Sequence, residues 1–130
     1  MSRPIRVVVV DDHALVRTGL VQLLEGADDI SVIGTAADGV EAIEVVRRDP
    51  PDVVLMDLQM PRGDGVAATR AIRALPGPRS ATRIVALTAY AMDGDRERFL
   101  AEGMDDYLSK PVQMTEMVRA LERVNAARPG

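Results

Sequence analysis

Four short runs of β-branched and aliphatic residues constrain this chain more than any other feature: Ile5 to Val10, Ile30 to Ala36, Asp52 to Met56 and Arg83 to Leu87. Apolar side chains at consecutive positions do not suit a strand with one wet face; they call for strands covered on both sides, as in a parallel sheet between helices. Tyr107 to Ser109 is a fifth, very short candidate. Between the runs the apolar spacing becomes helical. Val16, Leu20, Leu23 and Leu24 form one stripe, Gly39, Ala42, Ile43 and Val46 a second, Gly65, Ala68, Thr69 and Ile72 a third, and Met114, Met117, Val118 and Leu121 another near the C-terminus. A fourth helix is expected from about Met92 to Glu102, with only Met92, Phe99 and Leu100 as anchors and Gly94 in its interior, which predicts the loosest helix of the set. Pro76 to Thr82 reads as a surface loop and Arg128 to Gly130 as a fraying tail.

Strands alternating with helices imply an α/β fold: a doubly wound (βα)5 parallel sheet of five strands with right-handed crossovers, in the flavodoxin-like order 2-1-3-4-5. A chain of 130 residues has room for one such domain, its core over about residues 5–124 and a tail from 125 to 130. In this architecture ligands bind beyond the carboxyl ends of the strands, so functional residues are expected immediately after each strand.

Composition removes several chemistries. No cysteine means no disulfide framework, thiol nucleophile or thiolate metal site, and the single His13 cannot build a multi-histidine centre. Two Tyr, one Phe and no Trp leave little for base stacking, and a net charge of -4 argues against direct binding of nucleic acid or an anionic membrane. The run Val7 to Val10 is too short for a signal peptide, and no stretch approaches the roughly 20 apolar residues of a membrane span. A cytoplasmic protein is expected.

The strand ends carry what remains. Asp11 and Asp12 follow the first run, Asp57 the third, Thr88 the fourth, and Lys110 with Pro111 the fifth. Taken singly each has a plain structural reading: the paired acids cap a helix, Asp57 occupies a turn, Thr88 bonds backbone, and Lys110 is a solvated charge. Together they place three carboxylates, a hydroxyl and an ammonium at one edge of the sheet. Three like charges in one pocket repel unless a cation joins them, and Mg2+ is suited to carboxylate and phosphate oxygens. His13 falls in the loop or first turn that follows and is assigned no phosphate transfer.

From Ile5 to about Val124 the chain resembles a response-regulator receiver domain of two-component signalling. The resemblance rests on Asp11-Asp12, Asp57 followed by Met60-Pro61, Asp64-Gly65, Thr88-Ala89 and Lys110-Pro111. It implies that Asp57 is the phosphoacceptor, fed by a sensor histidine kinase or histidine phosphotransfer domain. Mg2+ would be bound by Asp12 and Asp57, with Asp11 nearby or through water and Gln59 through its backbone carbonyl. Thr88 and Lys110 would contact the phosphoryl group, Tyr107 would be the aromatic switch position, and Lys110-Pro111 is compatible with a cis bond. Such a domain is not an enzyme with a separate substrate; it assists its own phosphorylation and slow dephosphorylation. The fourth helix, fifth strand and fifth helix are expected to form the output face, with homodimerisation there as one outcome and the output partner unspecified. The chain is expected to be a stand-alone or excised receiver, because it stops soon after the fifth helix.

Several features depart from this pattern or stand aside from it. Gly63 replaces a larger apolar residue, Tyr90 puts bulk at the pocket mouth, and Arg62-Gly63-Asp64 spells an adhesion tripeptide that is read as chance. The segment Asp11 to Arg17 is similar to receivers attached to helix-turn-helix regulators, whereas Gly103 to Pro111 is similar to receivers fused to sensor kinases. A phosphohydrolase of the haloacid dehalogenase type also uses an aspartyl nucleophile, but it needs a second acid where this chain has Gln59. A flavodoxin-like nucleotide or flavin binder would want a glycine-rich loop where Asp11 and Asp12 stand. A docking module indifferent to phosphorylation would have no need of the acid, hydroxyl and lysine set.

Overall fold

Consecutive valines restrict side-chain rotation and favour extended backbone, and Val7 to Val10 make up most of strand β1 (Ile5–Val10). In the computed structural model, which describes residues 3–58, 60, 64–89 and 94–126, β1 leads into α1 (Ala14–Glu25), β2 (Ile30–Ala36), α2 (Gly39–Arg48) and β3 (Val53–Asp57). The chain continues through α3 (Asp64–Arg73), a 3-10 helix at Gly77–Ala81, β4 (Arg83–Thr88), α4 (Asp95–Ala101), β5 (Asp106–Ser109) and α5 (Met114–Ala126).

All four strand pairings are parallel, and the five strands lie in the order β2-β1-β3-β4-β5, as the sequence implies. The chain steps from β1 outward to β2 and then returns to the other side of β1, so a crevice opens above the carboxyl ends of β1 and β3. Alternation along the strands divides the core in two. Val7, Val9, Leu55, Val85 and Leu87 face α1 and α5 with Leu20, Leu24, Met117 and Leu121. Val8, Val10, Val54, Met56, Ile84 and Ala86 face the other way, onto Ala42, Val46, Ala68, Ile72 and Phe99. Each fully buried side chain of this size contributes about 1.5–3 kcal/mol, which makes the sheet the rigid platform for whatever stands at its edge.

Some boundaries move. β3 begins at Val53 because Asp52 turns its carboxylate to the Arg6 backbone N–H, at 2.9 Å, and the strand instead runs on to Asp57, which pairs with Leu87. β4 takes in Thr88, paired with Ser109, and the Pro76 to Thr82 loop contains the 3-10 helix. The expectation that Gly94 is interior to the fourth helix is corrected: α4 starts at Asp95, and Gly94 precedes it with a φ of 89°, a left-handed conformation that glycine adopts without steric penalty. Met92 and the start of the longer helix expected there lie outside the described residues. On α1, Leu20 and Leu24 are buried, but Val16 and Leu23 stay exposed and line a groove of about 330 Å³ beside Lys110 and Pro111.

Candidate functional site

The ends of β1, β3, β4 and β5 bring the expected side chains to one edge. Asp11 follows β1 directly; its backbone N–H donates to the Ala36 carbonyl at 3.1 Å, which extends the sheet bonding by one residue and carries the side chain into the interior. It is fully buried, and its Oδ1 accepts from the His13 backbone N–H at 2.9 Å. Asp12 is partly exposed. Neither acid caps α1 through its side chain: His13 holds the N-cap position without a side-chain cap.

Asp57 closes β3 and is buried, 1% exposed. The first turn of α3 is pressed against it: a Cβ on Gly65 would lie 2.6 Å from the Asp57 carbonyl oxygen, so only glycine permits this approach. Thr88, buried at the end of β4, accepts the Lys110 backbone N–H on its carbonyl at 2.8 Å, which fixes the hydroxyl residue and the lysine side by side. From there the Lys110 ammonium reaches across the crevice, 3.0 Å from Asp57 Oδ1 and 3.6 Å from Asp11 Oδ2. The Lys110-Pro111 peptide bond is cis.

A divalent cation fits this donor set. Asp11 Oδ2 and Asp12 Oδ1 are shielded from water and accept no hydrogen bond, a costly state for carboxylate oxygens unless a cation shares them. Among the described residues, Asp11, Asp12 and His13 offer donor atoms that all lie within 4.8 Å of one another. Asp57 stands outside that grouping and joins it through Lys110. His13 is what sequence reasoning missed: it adjoins two acids, and its Nδ1 lies 3.2 Å from Asp12 Oδ1. Gln59, Arg62, Gly63 and Tyr90 lie outside the described residues, as does the Pro61 of the Met60-Pro61 pair.

Tyr107, on β5, is half-buried and meets Phe99 of α4 edge-on, with ring centroids 5.4 Å apart. The expected switch residue is thus in contact with the helix expected to respond to it. Arg123 on α5 pairs with the buried Asp106 beside it on β5, so β5 is tied to both flanking helices.

A family model, the response regulator receiver domain, matches residues 7–122. Response regulator GacA of Pseudomonas viridiflava is 41% identical over 125 residues, covering 95% of this chain and 56% of the relative. This chain therefore spans little more than half the length of that curated relative. Among solved structures, the signal receiver domain of the response regulator NarL from Mycobacterium tuberculosis has a TM-score of 0.86 at 34% identity, covering 98% of this chain and 100% of that one. The receiver domain of a sensor histidine kinase from Pseudomonas aeruginosa has a TM-score of 0.82 at 36% identity, covers 95% of this chain and 99% of that one, and holds a magnesium ion in its active site cleft. A receiver belonging to a sensor kinase, the kind echoed by Gly103 to Pro111, is thus represented among the similar structures.

Proposed function

Since the chain belongs to the response regulator receiver domain family, we propose that it acts as a phosphorylation-dependent switch in a two-component relay, with Asp57 as the phosphoacceptor. The observation that carries this reading is the Lys110 ammonium held 3.0 Å from Asp57 and 3.6 Å from Asp11 at the carboxyl edge of the sheet. An Asp57 carboxylate oxygen bonds to phosphorus as the P–N bond of a phosphohistidine donor breaks, and the electron pair leaves with the imidazole nitrogen. Lys110 offsets charge on the phosphoryl oxygens, and the Thr88 hydroxyl donates to one of them. Asp11, Asp12 and Asp57, with the Gln59 backbone carbonyl, are the residues that would hold Mg2+, which when bound supplies further neutralisation of phosphoryl charge. Water later cleaves the acyl phosphate, so the signal limits itself and the domain turns over no separate substrate.

The donor is a sensor histidine kinase or histidine phosphotransfer domain. Readout runs through Thr88: drawn toward the phosphoryl group, it vacates space into which Tyr107 turns, and α4 follows through Phe99. The face made by α4, β5 and α5 then engages an output partner or a second copy of the chain. The chain is read as one receiver domain acting in the cytoplasm, in keeping with the finding that no helix among the described residues is long and apolar enough to cross a membrane.

Incubation with Mg2+ and acetyl phosphate, followed by intact mass and peptide mapping, tests the chemistry. The expected result is one phosphoryl adduct on Asp57, labile in base, absent in Asp57→Asn and absent with EDTA. No adduct under these conditions or with a cognate kinase would overturn the reading. For the switch, Tyr107→Ala is expected to reduce the ratio of partner binding between the phosphorylated and unphosphorylated states; an unchanged ratio would remove Tyr107 from the mechanism.

A further inference from the structure

Asp12 Oδ1 and His13 Nδ1 lie 3.2 Å apart, and Asp11 Oδ1 is 3.9 Å from the same nitrogen. Two ligands on adjacent corners of an octahedron with bonds of about 2.1 Å lie about 3.0 Å apart, and two on a tetrahedral zinc with bonds of about 2.05 Å lie about 3.3 Å apart. The plain alternative is a hydrogen-bonded ion pair between His13 and Asp12. Against it, Asp12 Oδ1 accepts no hydrogen bond although Nδ1 is so near. Asp11, Asp12 and His13 each offer a donor atom, and these atoms all lie within 4.8 Å of one another. An independent observation lies on the neighbouring acid. Asp11 is fully buried, and its Oδ2 accepts no hydrogen bond, with the Lys110 ammonium 3.6 Å away.

We infer that His13 Nδ1 is a third donor to the cation site, so that Asp11, Asp12 and His13 take a borderline transition-metal dication of the Zn2+ class in addition to Mg2+. Carboxylates alone suit hard ions; an imidazole nitrogen adds affinity for Zn2+, Ni2+ and similar ions while doing little for Mg2+. The ring is 73% exposed, so the remaining coordination positions stay open to water. His13 in this role sets the metal preference of the site and takes no part in phosphoryl transfer. The inference rests on the cation site of the receiver reading, and it adds a competitor: a Zn2+-class ion held here would occupy the place that reading assigns to Mg2+.

The test is direct because His13 is the only histidine in the chain. Long-range 1H–15N spectra of the imidazole therefore contain one residue's signals. One equivalent of Zn2+ is expected to move the Nδ1 resonance to a metal-bound position, whereas saturating Mg2+ leaves it near its free position. By calorimetry, His13→Asn is expected to weaken Zn2+ binding by about tenfold or more and to change the Mg2+ dissociation constant less than about twofold. An unmoved Nδ1, an unchanged Zn2+ affinity in His13→Asn, or a Zn2+-induced shift that persists in Asp12→Ala would overturn the proposal. Mg2+-dependent phosphorylation of Asp57, measured on the same samples, separates the two readings: if it holds while Nδ1 stays unmoved, only the role of His13 falls.

Discussion

The two edges of one sheet use aspartate in opposite ways. At the amino edge, Asp105 Oδ2 accepts the Ile84 backbone N–H at 2.8 Å and Arg73 Nη2 at 2.9 Å, and its Oδ1 accepts Arg83 Nη1 at 3.1 Å. Arg73 in turn donates to the carbonyls of Gly103, Ser80 and Thr82, locking the end of α3 to the segments before β4 and β5. Burial pulls the Arg73 guanidinium below its ordinary pKa while Asp105 offsets that pull, and the group remains a cation at neutral pH. Asp52 is likewise engaged, by the Arg6 N–H and by Arg3. At the carboxyl edge, Asp11 Oδ2 and Asp12 Oδ1 are shielded from water and accept no hydrogen bond. Asp105 is saturated by hydrogen bonds from the chain, whereas Asp11 and Asp12 each keep one buried oxygen that accepts none.

That contrast is open to attack by substitution, beginning where the effect is largest. Asp105→Ala leaves Arg73 and Arg83 without their shared carboxylate and is expected to lower the free energy of unfolding by about 3–5 kcal/mol in urea titration, while the folded fraction still accepts a phosphoryl group. A loss under about 1 kcal/mol would erase the distinction between the edges. Next, Mg2+ at about 100 times its dissociation constant is expected to stabilise the wild-type fold by about 2.7 kcal/mol, reversed by EDTA; Asp105→Asn keeps this response and Asp12→Ala loses it. Without metal, Asp12→Ala relieves repulsion among three acids and is expected to raise stability by about 1 kcal/mol as it abolishes cation binding, the trade expected of a site residue.

The smallest effect belongs to an acid pair at the surface. A hydrogen bond shared with Asp29 holds the Glu122 carboxyl above its usual pKa. The fold therefore favours the protonated form: the stabilisation is present below the ordinary carboxylate range and is lost as pH rises through the raised value. Glu122→Gln is expected to shift the urea midpoint upward slightly at neutral pH and to have no effect in acid. An equal shift at both pH values would show that charge at this position is irrelevant.

Much of this was readable beforehand, for reasons particular residues make clear. Ile5–Val10 and Ile30–Ala36 are strands with the predicted bounds, because β-branched residues at consecutive positions satisfy local preference and burial at once. The strand-end rule then brought Asp11, Asp12, Asp57, Thr88 and Lys110 to one edge without any knowledge of contacts. What escaped depends on distance in the chain or on a single backbone angle. Arg73, Arg83 and Asp105 are separated by 10 and 22 positions and look like solvated charges until the fold joins them. Gly94 marks the start of α4 rather than its middle, a distinction carried by one positive φ that no apolar spacing encodes. His13 follows two acids in the sequence, but only the fold shows its Nδ1 3.2 Å from Asp12 Oδ1.

The edge-on contact between Tyr107 and Phe99 also gives the molecule an optical gauge. With two tyrosines and no tryptophan in the chain, its ultraviolet emission comes from Tyr90 and Tyr107 alone. Replacing Tyr90 with Phe leaves a single emitter, sited on β5 against α4. Its intensity and anisotropy then follow one ring's surroundings in real time as a phosphodonor is added, with no dye attached and no residue of the acidic edge altered.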